Sequence, residues 1–319
     1  YLEIMLFGFL FLSFSINGSS LIRAEGKPRA SMYEMILGAV SNIILDYFFV
    51  VVFGWGVKGA AIATVISHII STIYFVVFFM SSKSIFKIKF NMFKINRSIS
   101  REILSLGAPS FLMEIVGSVV FILFIRFVSR YGGDIYITIT GIGIRIIDLV
   151  FMPILGISQG FSPIVGFNYG AKLYTRVKKV LREAFIWTSV VTLSGFIVMV
   201  VFPEALIGIF TSDIDVIQKG AMPLRLIAML APLWGFPILG STFFQAIGKA
   251  RPSLVITLSK NLFFFIPAIF ILPVFFGLSG VWASWPVTDF CCFLITGVFL
   301  VREIKIINKN IEMEKVRLS

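Results

Sequence analysis

The chain has 319 residues, of which 58% are hydrophobic and only 14% are charged, and its formal net charge is +12. Because a soluble domain carries roughly 45–50% apolar and about 25% charged residues, this composition excludes a water-soluble enzyme. The basic residues lie in loops between apolar runs, which indicates an integral membrane protein and not a nucleic-acid-binding one. One histidine and two adjacent cysteines within an apolar run predict neither a metal site nor a disulfide.

Nine apolar runs are long enough, at about 20 residues each, to cross a hydrocarbon core of ~30 Å as helices. In chain order they cover residues 2–22, 32–53, 58–80, 106–129, 139–165, 184–203, 221–245, 253–276 and 279–301. Several contain proline, which membrane helices tolerate when neighbouring groups satisfy the freed carbonyls. The sequence therefore predicts an all-α membrane protein with nine transmembrane helices.

Lysine and arginine are distributed unevenly between the two sides of these runs. The loops after runs one, three, five and seven, together with the C-terminal tail, hold 21 of the 28 basic residues, and the alternate loops hold three. In membrane proteins the cytoplasmic loops carry the excess of basic residues. The chain is therefore predicted to lie in the cell membrane with its C-terminal tail in the cytoplasm. The other four lie within runs, mostly near enough to an end to extend to the membrane surface: Arg126, Arg145, Arg225 and Lys260.

The connection at residues 81–104 is the longest polar one, and it interleaves large apolar residues with six basic residues. This mixture predicts an amphipathic linker on the anionic inner leaflet. It divides the chain into a first part at 1–80, a second at 105–302 and a tail at 303–319.

Two helix-ending turns share a sequence pattern. Residues 23–31 read Arg-Ala-Glu-Gly-Lys-Pro-Arg-Ala-Ser and residues 245–253 read Gln-Ala-Ile-Gly-Lys-Ala-Arg-Pro-Ser, with five identities at an offset of 222. Each follows one apolar run and precedes two more, which predicts a parallel repeat of the kind found in some secondary transporters. The second copy has six runs and the first has three, so the symmetry predicts a six-plus-six bundle whose first three helices precede Tyr1.

Three segments resemble the multidrug and toxic compound extrusion (MATE) family, and most of all its MepA-like bacterial branch. They are Arg23-Ala-Glu-Gly-Lys-Pro28, Asn42-Ile-Ile-Leu-Asp46, and the stretch from Gln159-Gly160 through Pro163 to Asn168-Tyr-Gly-Ala171. The resemblance extends from the family's fourth helix to its twelfth. It implies a pseudo-symmetric, two-lobe helical bundle that exports amphipathic, often cationic drugs by alternating access, coupled to H⁺ or Na⁺.

Asp46 is the candidate coupling residue, because a charged group in the middle of a membrane helix is costly and usually functional. Asn42 lies four residues earlier on the same face, and the second repeat has Phe264 and Ala268 at the equivalent positions. The family resemblance places Asn42, Asp46 and Thr64 in the cation or proton site of the first lobe. A carboxylate that serves helix packing alone is the alternative, and His68 is either a proton relay or a packing residue.

The resemblance implies a substrate cavity for which four residues are candidates: Glu114, Asp289, Met113 and Gln159. For Glu114, a hydrogen-bonded packing role is the alternative. Arg145 and Asp148, three residues apart, are expected to form an internal ion pair.

No ATP-binding loop and no catalytic set of residues is evident, so the chain is predicted not to be an enzyme. It is expected to require no cofactor beyond the coupling ion, and to act as a monomer on small-molecule drugs or organic cations among membrane lipids. Two alternatives remain open. A flippase for lipid-linked oligosaccharide or polysaccharide precursors would need several basic residues in its cavity, and an inactive truncated fragment would lack half of one lobe.

Overall fold

The computed structural model describes the backbone of residues 2–82, 84–85 and 96–318, and within these the side chains of all but residues 2, 102, 105–110, 112–113 and 314–318. The chain forms two compact units, unit 1 at Tyr1–Arg97 and unit 2 at Ser98–Ser319. Their boundary falls within the predicted linker at 81–104. Most of that linker lies outside the described residues, so its interfacial placement stays a prediction.

Unit 1 is a group of three helices. They are α1 (Leu2–Ala24), α2 (Pro28–Asp46), which continues as a π-helical turn (Tyr47–Val52), and α3 (Gly56–Met80). Helix α3 packs against both α1 and α2. Glycine makes this packing close, since a Cβ on Gly18 of α1 would lie 2.5 Å from the ring of Phe75 in α3, as is typical of helix contacts in membranes.

Unit 2 is built from longer helices around two buried apolar clusters. Its helices are α4 (Arg97–Gly132), α5 (Asp134–Gly170), α6 (Tyr174–Val201), α7 (Pro203–Gly208), α8 (Ile214–Ala228), α9 (Gly235–Ala246), α10 (Ala250–Leu258) and α11 (Ile266–Leu318). A 3₁₀ turn (Ala231–Leu233) joins α8 to α9, and a π-helical turn (Ser259–Phe265) joins α10 to α11.

Eight helical segments among the described residues are long and apolar enough to cross a membrane, where the sequence predicted nine runs. The difference lies in the last segment, Ala250–Met313, which has 64 residues. At 1.5 Å per residue this length is about three times the hydrocarbon thickness. Gly277 interrupts the segment with a φ of 56°, and the predicted runs 253–276 and 279–301 lie on either side of this break.

The two turns that the sequence pairs have the same backbone structure. Gly26 and Gly248 adopt φ values of 77° and 76°, the left-handed conformation with which glycine ends helices. In each copy the amide after the glycine donates to the carbonyl five residues earlier: Lys27 to Ile22 at 3.3 Å and Lys249 to Phe244 at 2.8 Å.

The helices that flank each turn are also joined by equivalent side chains. In both copies two serine hydroxyls meet, and a third side chain donates to the second serine. In the first copy the hydroxyls of Ser19 and Ser31 are 2.7 Å apart, and Arg23 Nη1 donates to Ser31 at 3.0 Å. In the second copy the hydroxyls of Ser241 and Ser253 are 2.7 Å apart, and Gln245 Nε2 donates to Ser253 at 2.9 Å. All three pairs of positions are 222 residues apart, which supports the predicted repeat.

Candidate functional site

Asn42 and Asp46 lie near the end of α2, on one face and one turn apart. Both residues are half-buried. Asn42 Nδ2 and Asp46 Oδ1 are buried atoms with no hydrogen-bond partner among the described residues. Buried polar atoms are almost always paired, and an unpaired one requires an explanation. A water between the two groups would accept from Asn42 Nδ2 and donate to Asp46 Oδ1, and a proton or metal cation would bind at Oδ1.

The backbone changes directly after Asp46, where α2 widens into the π-helical turn Tyr47–Val52. Such turns are rare and occur frequently at functional sites. Helix α3 packs beside this segment and carries Thr64, which is half-buried and donates from Oγ1 to the Ala60 carbonyl at 2.9 Å. The Thr64 hydroxyl proton therefore points at a carbonyl of its own helix. The lone pairs of Oγ1 are left for a bound ion.

Glu34 lies on the same row of α2, eight residues before Asn42, and was not among the predicted site residues. Its side chain is 1% exposed. Ser15 Oγ of α1 donates to Glu34 Oε1 at 2.8 Å, while Oε2 is buried without a partner in the described part of the chain. Glu34, Asn42 and Asp46 form what we term the polar row, in which every member has an unpaired buried atom.

Unit 2 contains a cavity of about 430 Å³. Its wall is mainly aromatic and aliphatic and includes six aromatic residues: Phe121, Phe124, Phe151, Trp234, Trp282 and Trp285. The charged groups that line it are Asp148, Lys260 and Asp289. A volume of this size and an apolar wall with a few polar groups are typical of small-molecule sites.

Asp289 is 3% exposed in its side chain and is held by two partners. Lys260 Nζ lies 2.9 Å from Oδ1, and Trp234 Nε1 donates to Oδ2 at 2.7 Å. Lys260, one of the four basic residues within the predicted runs, therefore does not extend to the membrane surface. Its ammonium turns inward because the carboxylate of Asp289 is a better partner there than the headgroup region.

Comparison with known proteins gives the family of this chain. The family model MatE matches residues 1–48 and 109–271. The chain belongs to the MatE family. It is 28% identical over 305 residues to the multidrug export protein MepA of Staphylococcus aureus strain MSSA476, covering 95% of this chain and 67% of that protein.

Solved structures of MATE transporters share the fold of this MatE chain. A crystal structure of MATE in complex with MaL6 matches with a TM-score of 0.86 at 24% identity, over 97% of this chain and 70% of the other. An outward-facing multidrug resistance MATE family transporter of the MOP superfamily matches at 0.85, over 96% and 69%. These matches confirm the predicted all-α membrane fold, and the family is one of transporters, which fits the prediction of a non-enzyme.

The remaining predicted residues of this MatE chain fall in different places. Glu114 on α4 and Gln159 on α5 are exposed and do not line the unit 2 cavity. Of the three candidates whose side chains are described, Asp289 is the one in the wall of this cavity. The side chain of Met113 lies outside the described residues. Substrate roles for these residues stay predictions.

The expected ion pair between Arg145 and Asp148 is not formed, although both side chains are described. Both residues are exposed, and Asp148 instead lines the cavity. Three residues along a helix correspond to a rotation of about 300°, so the two side chains need not meet when one of them is drawn towards a cavity. Asp148 is thus a carboxylate without an ion-pair partner among the residues described.

Proposed function

We propose that this chain acts in the cation-coupled export of amphipathic, often cationic drugs, as an antiporter that works by alternating access. The observation that carries the proposal is the unpaired Oδ1 of Asp46 one turn from the unpaired Nδ2 of Asn42, within the membrane-spanning segment Pro28–Val52. Coupling requires a group that binds H⁺ or Na⁺ and that, when occupied, favours one conformation of the transporter over the other. Asp46 and Asn42, with Thr64 on the neighbouring helix, form the proposed coupling site.

The position of Asp46 within a membrane-spanning helix gives it access to the transmembrane potential. Each entering elementary charge releases ~2.3 kcal/mol per 100 mV. This free energy supports a concentration ratio of about fifty, by the rule of a factor of ten per 1.4 kcal/mol. A carboxyl group that is reached alternately from the two sides can convert that energy into drug export.

The unit 2 cavity supports a cationic substrate. Asp148 and Asp289 oppose the single ammonium of Lys260, so the wall has a net charge of −1 when all three are ionised. Aromatic faces attract organic cations in addition to their apolar contact, and six such side chains surround the cavity. The name of the staphylococcal relative, a multidrug export protein, agrees with this choice of substrate.

The same charges disfavour a flippase for lipid-linked precursors. A pyrophosphate group requires several unpaired basic residues. The cavity supplies one lysine, and Asp289 already pairs with it at 2.9 Å. Export of an organic cation is therefore the better interpretation of this site.

We further propose that the protein acts as a monomer in the cell membrane, with its C-terminal tail in the cytoplasm. The orientation rests on the uneven distribution of lysine and arginine between the loops. Residues 302–319, which directly follow the last apolar run, contain five of the basic residues on the predicted cytoplasmic side.

Replacing Asp46 with asparagine tests the proposed coupling. The change removes the charge at nearly constant shape, so uphill export of the fluorescent cation ethidium should be lost while ethidium binding persists. Asp215→Asn is the matched control, because this carboxylate is exposed and pairs only with Lys219, four residues away. Export at the wild-type rate, with wild-type cation dependence, in Asp46→Asn would refute the assignment.

A further inference from the structure

The second repeat provides an internal reference for the polar row. At the offset of 222, the equivalent of Glu34 is Ile256, and the equivalents of Asn42 and Asp46 are Phe264 and Ala268. Glu34 and Ile256 are both 1% exposed. The same position in the same three-helix arrangement therefore accepts an apolar side chain in one copy, and packing alone does not require a carboxyl group at Glu34.

The surroundings of Glu34 provide no direct ion pair among the described residues. Arg23 of α1 and Tyr74 of α3 are titratable groups of the neighbouring helices that interact electrostatically with its carboxylate. The Arg23 guanidinium donates to the hydroxyls of Ser19, Ser20 and Ser31. In the part of unit 1 that is described, Glu34 makes no ion pair, so its Oε2 is free to bind a proton.

Polar groups connect Glu34 to Asp46 along α2. The 12 residues between them correspond to about 18 Å along the helix axis, which is too far for direct transfer. Asn42 lies in this interval. Ser71 of α3 also enters it at the level of Gly38, where its Oγ occupies the space that a Cβ would need. These groups divide the distance into steps of about 6 Å, which two hydrogen bonds through one water can span.

Hydroxyl groups continue from Glu34 towards the α1–α2 turn. Ser15 donates to Glu34, and Ser19 follows one turn later on α1, where it meets Ser31 at 2.7 Å. Arg23, in the last turn of α1, donates to both Ser19 and Ser31. The polar groups thus extend from Asp46 to the end of the helix pair at Gly26.

We propose that Glu34 is a second proton-binding carboxyl group of this transporter, through which protons pass between Asp46 and the α1–α2 turn. This inference rests on the proposed function of Asp46 as the coupling carboxylate. Protonated Asp46 gives its proton to water in the row, and Glu34 takes up a proton at Oε2. Glu34 then releases that proton to water at the turn, so that both carboxylates are regenerated and no other bond changes.

The test compares Glu34→Gln with the wild-type protein in liposomes that contain the pH indicator pyranine. Glutamine keeps the size of the side chain and an oxygen that accepts from Ser15, but it does not bind and release protons. Proton flux driven by an ethidium gradient should fall about 100-fold or more, which is the lower end of the range for loss of one proton-transfer group. Ethidium binding should stay within about twofold, and Glu34→Asp should recover part of the flux.

Glu34→Ile is the matched control for folding, since isoleucine occupies the equivalent position in the second repeat. It should bind ethidium and lack the proton flux. Wild-type flux in Glu34→Gln would overturn the proposal. If both variants lose ethidium binding as well as proton flux, Glu34 has a packing role, and the proposal is overturned too. Asp46→Asn, measured in parallel, separates the two proposals: if Asp46→Asn lacks flux and Glu34→Gln retains it, only the role of Glu34 fails. Wild-type flux in Asp46→Asn, or flux that follows Na⁺ and not pH, removes both.

Discussion

Replacing Lys260 with methionine tests how far unit 2 depends on the ion pair inside its cavity. Nζ of Lys260 lies 2.9 Å from Oδ1 of Asp289, whose side chain is 3% exposed. At an effective dielectric constant of about 20, two unit charges at this distance attract each other by about 6 kcal/mol. The variant leaves the buried carboxylate with only Trp234 as a partner. Breaking a buried pair in this way costs about 3–5 kcal/mol in the free energy of unfolding.

The expected effect is a lower thermal unfolding midpoint of the purified protein in detergent. For a unit of this size about 1 kcal/mol corresponds to roughly 2–4 °C, so the midpoint of Lys260→Met should fall by about 6–20 °C. The double variant Lys260→Met/Asp289→Asn should recover most of this loss. It leaves no uncompensated charge at positions 260 and 289, and the asparagine oxygen still accepts from Trp234 Nε1.

Lys219→Met is the matched control. Lys219 pairs with Asp215 at 3.2 Å, but both side chains are largely exposed, at 48% and 69%. An exposed pair four residues apart in a helix contributes about 0.3–0.5 kcal/mol, so its midpoint should change by less than about 2 °C. If Lys260→Met lowers the midpoint no more than Lys219→Met does, or if the double variant is as unstable as the single one, the ion pair does not stabilise unit 2.

Three further predictions concern the backbone and the orientation. Gly248→Ala should destabilise the protein by about 1 kcal/mol or more because the residue has a φ of 76°. Gly297→Ala, in a helix with open space around it, should instead stabilise the protein by up to about 1 kcal/mol. Equal unfolding midpoints of the two variants would contradict this prediction. Gly18→Ala should cost about 1–3 kcal/mol, since its Cβ would lie 2.5 Å from the Phe75 ring, and an unchanged midpoint would show that the ring moves aside freely. A cysteine introduced at Lys178 should resist impermeant thiol reagents added outside intact cells, and ready labelling would reverse the proposed orientation.

Features that depend on short stretches of chain could be predicted from the amino-acid sequence. Runs of apolar residues predict membrane helices wherever they occur, because in lipid the backbone must satisfy its own hydrogen bonds. The Gly-Lys pattern predicted two equivalent turns, and the φ values of Gly26 and Gly248 agree with it, since a left-handed helix end depends mainly on the glycine itself. Asn42 and Asp46 were evident as polar residues one turn apart in an apolar run.

Glu34 could have been found by the same reasoning. It lies two turns before Asn42 on the i+4 row of α2, and the second repeat has isoleucine in its place. The predicted second run begins at residue 32, and a glutamate close to the start of a run is usually solvated at the membrane surface. Its burial at 1% exposure depends on how α1 covers this part of α2.

Which charged groups meet depends on how the helices pack against one another. Lys260 pairs with Asp289, 29 residues further along the chain, and Trp234 completes the arrangement from 55 residues before Asp289. Arg145 and Asp148, only three residues apart, do not pair. A contact between helices depends on the rotation of each helix about its axis, and that rotation is set by the packing of many side chains at once. The spacing of residues along one helix does not contain this information.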